Sequence, residues 1–468
     1  MILNQLIDNA YNEFNNKNFI YEKVNNEYIA ITYKNFIEKE KAFAKFLLSN
    51  FRHVNILLIS KNSINNMIAD VAIIQSNNIC VNINFATQKD ELEKIVDLYD
   101  IQLILYGNEQ EDKLKDINIV KINIDMQIEY IYNQFKDSII ELPEIDDNKM
   151  VKIIFSSGTT SNPKGIMLSL TNMFAGLDEL KNRTHINNTD IIYLFLPLYH
   201  TYSNLYNFYY TFSSGASIYL SSGTDNIMKE LKEVNPTFFC GVPLIYLMIL
   251  SKSDNLSEAF GNRIKYTFTG GSILNKEVKE IYLKHNIKLL EAYAMTETAS
   301  SFTIQCPNNY NFDSVGEIFS NMDVKIIDKD KNGIGKIVAK GDCIFLGYYK
   351  NEEETKKAFT KDGYFITKDL GYIKNNFLYI TGRDKNILIT SNGENIYADK
   401  IIEEIKKIEK NIDIKLYIED DKLCAKIYSN ILKENDISKI IEQYNKNSLK
   451  HNQIQNFKIS TNKTYKLM

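Results

Sequence analysis

VKIIFSSGTTSNPKG, residues 151–165, changes character after its first five positions. Val151–Phe155 is a mostly apolar run suited to a buried strand. The residues that follow are hydroxyl-bearing, small or turn-forming, until Lys164 stands between Pro163 and Gly165. A strand ending in such a loop can fold backbone N–H groups and hydroxyls around phosphate oxygens, with the lysine supplying positive charge. The Walker spacing GxxxxGK[ST] fails here, because Pro163 sits where the second glycine should be. A plain surface turn is the competing reading of the loop taken alone.

On the N-terminal side of this loop, helical and strand-like patterns alternate. Residues 34–50 have helical apolar spacing, and VNILLIS (54–60) is a continuous apolar run suited to a buried strand. A helix-like stretch at 64–76 leads to ICVNINF (79–85), then a helix at 88–99 and the strand QLILYG. This βαβ rhythm predicts a parallel sheet covered by helices. A polar connection lies near 143–149. Beyond the loop, apolar runs at 191–198, 237–242, 265–271 and 288–295 read as further strands. From about 315 the pattern shifts to short strands with turn signals. After Gly382-Arg383 come a charged helix (399–410), a hairpin-like stretch (KLYIEDDKLCAKIY) and a helix (436–448), enough for a small α+β unit.

The bulk composition narrows the function classes. A chain of 468 residues holds two or three domains, and its net charge of −4 argues against a nucleic-acid binder relying on a basic surface. The five cysteines are scattered and form no CxxC pair, which fits reduced thiols in core positions. The start, MILNQLIDNAYNEFNNKN, mixes acidic and amide residues into its apolar positions and is no signal peptide. No run reaches the length a membrane helix needs, so the expectation is a soluble cytoplasmic protein without a transmembrane segment.

Further motifs follow in a fixed order: Pro197-Leu198-Tyr199-His200, Gly270-Gly271-Ser272, Glu291-Ala292-Tyr293-Ala294-Met295-Thr296-Glu297, Tyr364–Gly371, Thr381–Ile387, Ser391–Tyr397 and Ser460–Leu467. Each has a bland alternative, such as a tight turn for the glycines or a solvated chain end for Lys466. Together with the 155–165 loop they resemble the adenylate-forming superfamily of acyl-CoA synthetases, nonribosomal adenylation domains and firefly-type luciferases. The resemblance covers essentially the whole chain.

That resemblance implies an α/β fold. A large N-terminal domain (1–384) would hold stacked α/β subdomains and a β-rich subdomain from about 315. A small mobile α+β C-terminal domain (385–468) would carry the catalytic lysine. It implies that Ser156, Ser157, Gly158, Thr159, Thr160 and Lys164 hold ATP phosphates, Thr160 and Lys164 acting in catalysis. His200 would line the acid channel and belong to the catalytic set. Gly270, Gly271 and Ser272 would pack on nucleotide and acyl group, Tyr293 on adenine, and Thr296 on phosphate. Glu297 would bind Mg²⁺, for which a carboxylate is a suitably hard ligand. Asp369 and Arg383 would contact the ribose, Lys385 would be the hinge, Gly393 would line the thiol channel, and Lys466 would bridge the carboxylate and the α-phosphate.

Several positions depart from the pattern. Ser161, Ala294 and Tyr465 replace glycines, and Lys368 stands where glycine is common. The charged groups remain. The expected activity is ATP-dependent activation of a fatty or aromatic acid as acyl-AMP, followed by transfer to CoA. An acyl carrier protein is the alternative thiol. His200-Thr201-Tyr202-Ser203 offers no Asp to pair with an amino-acid amine. A non-catalytic nucleotide- or acyl-binding regulator is the rival of a different class, and retained Glu297, Arg383 and Lys466 argue against it.

Overall fold

All five residues of Asn55–Ile59 are buried, as expected of a parallel strand covered on both faces. The computed structural model describes residues 2–155, 164–271, 274–299, 301–383, 387–389, 395–410, 412–419, 422–429, 432–446, 448 and 452–460. The chain packs as two units, Met1–Asp323 with Ala339–Phe365, and Val324–Val338 with Ile366–Met468.

In the first unit one sheet runs, in spatial order, Gly347–Tyr348, Gly165–Ser169, Met150–Phe155, Ile79–Asn82, Asn55–Ile59, Ile101–Tyr106 and Val120–Asn123. The last five strands are parallel. Gly165–Ser169 turns back antiparallel on Met150–Phe155, and Gly347–Tyr348 pairs antiparallel with it. The covering helices start where the sequence supplies caps. Thr32 Oγ1 accepts from Asn35 N ahead of Tyr33–Asn50, and Ser63 Oγ accepts from Asn66 N ahead of Ile64–Gln75.

A second sheet of the same unit runs Glu317–Ile318, Thr303–Ile304, Leu289–Tyr293, Tyr266–Thr269, Phe238–Gly241, Ile191–Leu194, Ser217–Leu220, Asn18–Val24 and Glu27–Thr32. Its strands from Leu289–Tyr293 through Asn18–Val24 are parallel. The sequence reading has no counterpart for the N-terminal helix Ile2–Phe14 or for the first strand pair. Asn18–Val24 finds its parallel partner about two hundred residues later, where the Tyr21 and Tyr219 rings stack at 4.1 Å. The strand expected over 191–198 ends at Leu194. Pro197 has no amide hydrogen to extend the ladder. Asn62 holds the departing segment instead, donating to Leu196 O at 2.9 Å and accepting from Leu198 N at 3.0 Å.

The aromatic run after His200 forms a π-helical stretch, Ser203–Tyr210, in which every residue is buried. Core packing therefore explains these rings. The stretch also closes a buried polar network. Lys152, fully buried on strand Met150–Phe155, donates to both carboxylate oxygens of Asp70 at 2.8 and 2.7 Å and to Asn204 Oδ1 at 3.0 Å. Tyr209 donates to Asp70 at 2.8 Å, and Asn82 at 3.2 Å. Removing one partner of such a pair strands a buried charge. Lys152→Ala is therefore expected to cost about 3–5 kcal/mol in urea unfolding. A loss no larger than that of an exposed lysine control would contradict this.

The second unit has the antiparallel pair Phe365–Lys374 and Phe377–Arg383, with Thr367 Oγ1 donating to Ile337 O at 2.8 Å. Helices Ala398–Ile408 and Glu434–Lys446 pack with the strands Asp413–Glu419, Lys422–Tyr428 and Asn456–Ser460 around Ile401, Ile405, Leu416, Ile427 and Ile441. The expected domain boundary at 384/385 lies outside the described residues. Lys368 has φ of +63°, which accounts for glycine being common there. Lys368→Gly should raise stability by about 1 kcal/mol, read as a higher thermal midpoint; no change would sink the strain argument. Ala294 is not among the residues with positive φ, so the methyl group there carries no such strain.

Among the described residues no helix is long and apolar enough to cross a membrane. All five cysteines are free, four of them buried.

Candidate active site

In open parallel α/β sheets, ligands bind beyond the carboxyl ends of the strands. At that edge of the second sheet stand Gly241, Gly270 and Tyr293, closing three neighbouring strands. A Cβ added at Gly270 would meet only ordinary contacts, Ala292 O at 3.6 Å and Tyr202 at 3.7 Å. The protein itself does not demand glycine there, which leaves close approach by a ligand as a reason for it. Gly271 differs, because its φ of +82° is itself unfavourable for side chains. Thr269 Oγ1, just before the pair, is buried without a hydrogen-bond partner among the described residues. Such orphans are uncommon and mark places where a ligand or water belongs.

Tyr293 is 8% exposed, with its ring edge-on to Phe302 at 5.1 Å. Thr296 and Glu297 follow on a tight turn, Thr296–Thr298. Thr298 Oγ1 accepts from Met295 N at 2.9 Å and closes that turn. Ala299 then takes φ of +48°, a strained value for a residue with a side chain.

The two sides of the site meet through strand Gly347–Tyr348. Phe345 N donates to Glu297 O at 2.9 Å, and the Tyr348 hydroxyl donates to Glu297 Oε1 at 3.0 Å. Burial and the nearby Glu297 carboxylate push the Tyr348 hydroxyl pKa upward, so it stays a donor. Lys164 Nζ lies 5.2 Å from the centroid of the same ring and 2.5 Å from Glu354 Oε2. Gly165, where the loop rejoins the sheet, is obligatory. Its amide donates to Tyr99 Oη at 2.8 Å, and a Cβ would sit 2.3 Å from the Tyr99 ring.

The His200 side chain is exposed, and the protein atoms packed around it lower its pKa by desolvation. Its ring lies 4.4 Å from that of Tyr199, and its carbonyl accepts from Asn204 N at 2.9 Å. The buried network thus continues directly from the helix that His200 begins.

Of the residues singled out by sequence, Lys164, His200, Gly270, Gly271, Tyr293, Thr296 and Glu297 all lie in the first unit. In the second unit Asp369 and Arg383 are cross-strand partners, with Nε 3.1 Å from Oδ1. Asp369 is buried and Arg383 exposed. Ser156, Ser157, Gly158, Thr159, Thr160, Ser272, Lys385, Gly393 and Lys466 lie outside the described residues. Sequence reasoning missed Tyr348 and Glu354. The available signal was LGYYKNEEET (346–355), a tyrosine pair after glycine followed by an acidic turn.

Mg²⁺ fits the donor set. Glu297 offers a partly buried carboxylate oriented from one side by Tyr348. No cluster of three or more His, Cys, Asp or Glu that could hold a metal exists among the described residues. Mg²⁺ commonly takes one or two protein carboxylates together with waters and substrate phosphates, so one carboxylate is a sufficient protein contribution.

Solved structures share this architecture. ATP-bound MatB from Rhodopseudomonas palustris superposes with a TM-score of 0.85 at 20% identity, covering 98% of this chain and 95% of that one. The o-succinylbenzoate CoA synthetase MenE from Bacillus subtilis, in complex with its acyl-adenylate intermediate, gives 0.79 at 17%, covering 97% and 94%. These likenesses establish the α/β fold.

The AMP-binding enzyme family model matches residues 7–349, and the chain belongs to that family, as its ordered motifs implied. Among its relatives, the long-chain-fatty-acid–CoA ligase ACSBG2 of Gallus gallus is 25% identical over 86% of this chain and 64% of the relative. Long-chain-fatty-acid–CoA ligase 1 of Saccharomyces cerevisiae is 29% identical over 58% of this chain and 47% of the relative. The chain thus spans less than two thirds of the length of these two ligases.

Because Tyr348 orients Glu297 through one hydrogen bond, Tyr348→Phe should raise the Mg²⁺ concentration needed for half-maximal nucleotide binding by about tenfold. Fluorescent-nucleotide titration at stepped Mg²⁺ measures this. An unchanged Mg²⁺ dependence would reduce the contact to packing.

Proposed function

We propose that this chain is an AMP-forming acid–thiol ligase acting on a fatty acid, with CoA as the thiol. The observation that carries the reading is the convergence of Lys164, Glu297 and Tyr348 beside the parallel strand ends. A cation and a hard carboxylate held this close suit a polyphosphate and its magnesium. The names of the ligase relatives support the fatty-acid class, as does the absence of a carboxylate in His200–Ser203 to meet an amine.

The chemistry requires two anions to meet, so the protein's contribution is charge neutralisation and alignment. A carboxylate oxygen attacks the α-phosphorus of ATP, the α–β bridge breaks, and pyrophosphate leaves with the bonding electrons. Mg²⁺ bound by Glu297 would neutralise phosphate charge. Lys164 and the hydroxyls of Ser156–Thr160 would hold the departing pyrophosphate. Tyr293 would pack on adenine, Gly270, Gly271 and Ser272 would admit the nucleotide closely, and Thr296 would contact phosphate. Asp369 and Arg383 would hold the ribose hydroxyls, and His200 would line the acid channel. Lys466 would bridge the carboxylate and the α-phosphate. The small C-terminal domain would then turn about Lys385, bringing Gly393 to the thiol channel. The thiolate attacks the acyl carbon and AMP leaves.

Acid-dependent ATP–pyrophosphate exchange across a panel of fatty, aromatic and amino acids tests the reading. Exchange is expected with fatty acids, and Glu297→Ala should cut it by about 10²-fold or more. No exchange with any acid, or full exchange in the variant, would contradict it. Lys466→Ala should lose about 10²–10³ in adenylation while supplied acyl-adenylate still reacts with CoA. Equal loss in both half-reactions would remove its assigned role. Consumption of acyl-adenylate by carrier protein but not by CoA would reassign the thiol.

A further inference from the structure

Lys164 is engaged by a carboxylate of the protein itself. Its ammonium lies 2.5 Å from Glu354 Oε2, and both side chains are one-third exposed. Glu354 is carried on the short helix Glu352–Lys357, where Asn351 Oδ1 accepts from Glu354 N at 3.1 Å. Thr355 Oγ1 accepts from Tyr348 N at 2.9 Å, which ties the same turn to the strand carrying Tyr348. The carboxylate is therefore aimed at Lys164 by fixed backbone contacts. A second cation, Lys357, sits 3.3 Å from its other oxygen. Together the two lysines hold the Glu354 carboxyl below the usual glutamate range. The lysine assigned to phosphate thus already has an anionic partner supplied by the protein itself.

We infer that Glu354 is an internal counter-ion that competes with the polyphosphate for Lys164, released when ATP binds and recaptured when pyrophosphate leaves. This rests on the reading of Lys164 as a phosphate ligand. A polyphosphate carries several charges and outcompetes a single carboxylate, so binding proceeds at reduced affinity. On departure, Glu354 takes back the ammonium, so the cation is not left unpaired beside the Tyr348 ring. The residue is a positioning group, since it touches Lys164 and not the reacting atoms. Its effect is largest on the doubly or triply charged fragment held by Lys164, and absent on the acid.

The test is calorimetric titration of Mg²⁺–pyrophosphate and Mg²⁺–ATP into the whole chain. Wild type, Glu354→Gln, Glu354→Asp, Lys164→Gln and the Lys164→Gln/Glu354→Gln double variant are compared. A partly exposed pair of this kind is worth a factor of about three to five. Glu354→Gln should tighten pyrophosphate by that factor and strengthen product inhibition, with the KM for acid unchanged. Glu354→Asp should bind as wild type does. In the Lys164→Gln background the Glu354 substitution should have no effect, which a merely structural helix residue would not obey. Unchanged or weaker pyrophosphate binding in Glu354→Gln would overturn the inference while leaving the ligase reading intact. Equal pyrophosphate affinity in wild type and Lys164→Gln would remove Lys164 from the phosphate site and sink both.

Discussion

An ammonium and a carboxylate meet in the buried interior of the first unit, and the elements flanking the candidate site are tied together through that contact. Lys152 and Asp70 share two hydrogen bonds, with Asn204, Tyr209 and Asn82 satisfying the remaining polar atoms. A buried pair of this type adds little net stability over a well-packed apolar replacement, because desolvation offsets the attraction. Its use is read here as registry. Lys152 is three residues before the end of the strand Met150–Phe155, Asp70 is on the helix Ile64–Gln75, and Asn204 and Tyr209 are on the helix after His200. A shift of any one element would leave a charge without its partner, so the three positions are fixed together.

The second constraint is the return path of the chain through Gly347–Tyr348. This two-residue strand pairs with the segment just after Lys164, while its tyrosine reaches Glu297. One short element thus stands between Lys164 and the Glu297 carboxylate and contacts both. Close packing at Gly165 against Tyr99 keeps this arrangement from relaxing.

Much of this was legible in the sequence. The continuous apolar runs at 54–60, 79–85 and 151–155 gave parallel strands, since a strand covered on both faces has no polar alternation. Ordered motifs singled out Lys164, Gly270, Tyr293 and Glu297, all of which lie in the first unit. Sheet membership was hidden, because Asn18–Val24 chooses Ser217–Leu220 by long-range packing that no local period encodes. The Lys152 charge inside an apolar run gave no hint of its partner, as Asp70 lies on a helix 82 positions earlier. Asp369 and Arg383 were read as separate contacts; only the hairpin register makes them an ion pair. Glu354 carries no sequence signal of its pairing, because only the fold places it beside Lys164 across 190 positions.

The central claim is that a carboxylate oxygen attacks the α-phosphorus of ATP in this site. Turnover of an acid labelled with ¹⁸O in both carboxylate oxygens, followed by mass spectrometry of the nucleotide and phosphate products, tests it most directly. The account predicts one labelled oxygen in AMP and none in pyrophosphate. Label in inorganic phosphate with ADP as co-product, or AMP formed without label, would contradict it.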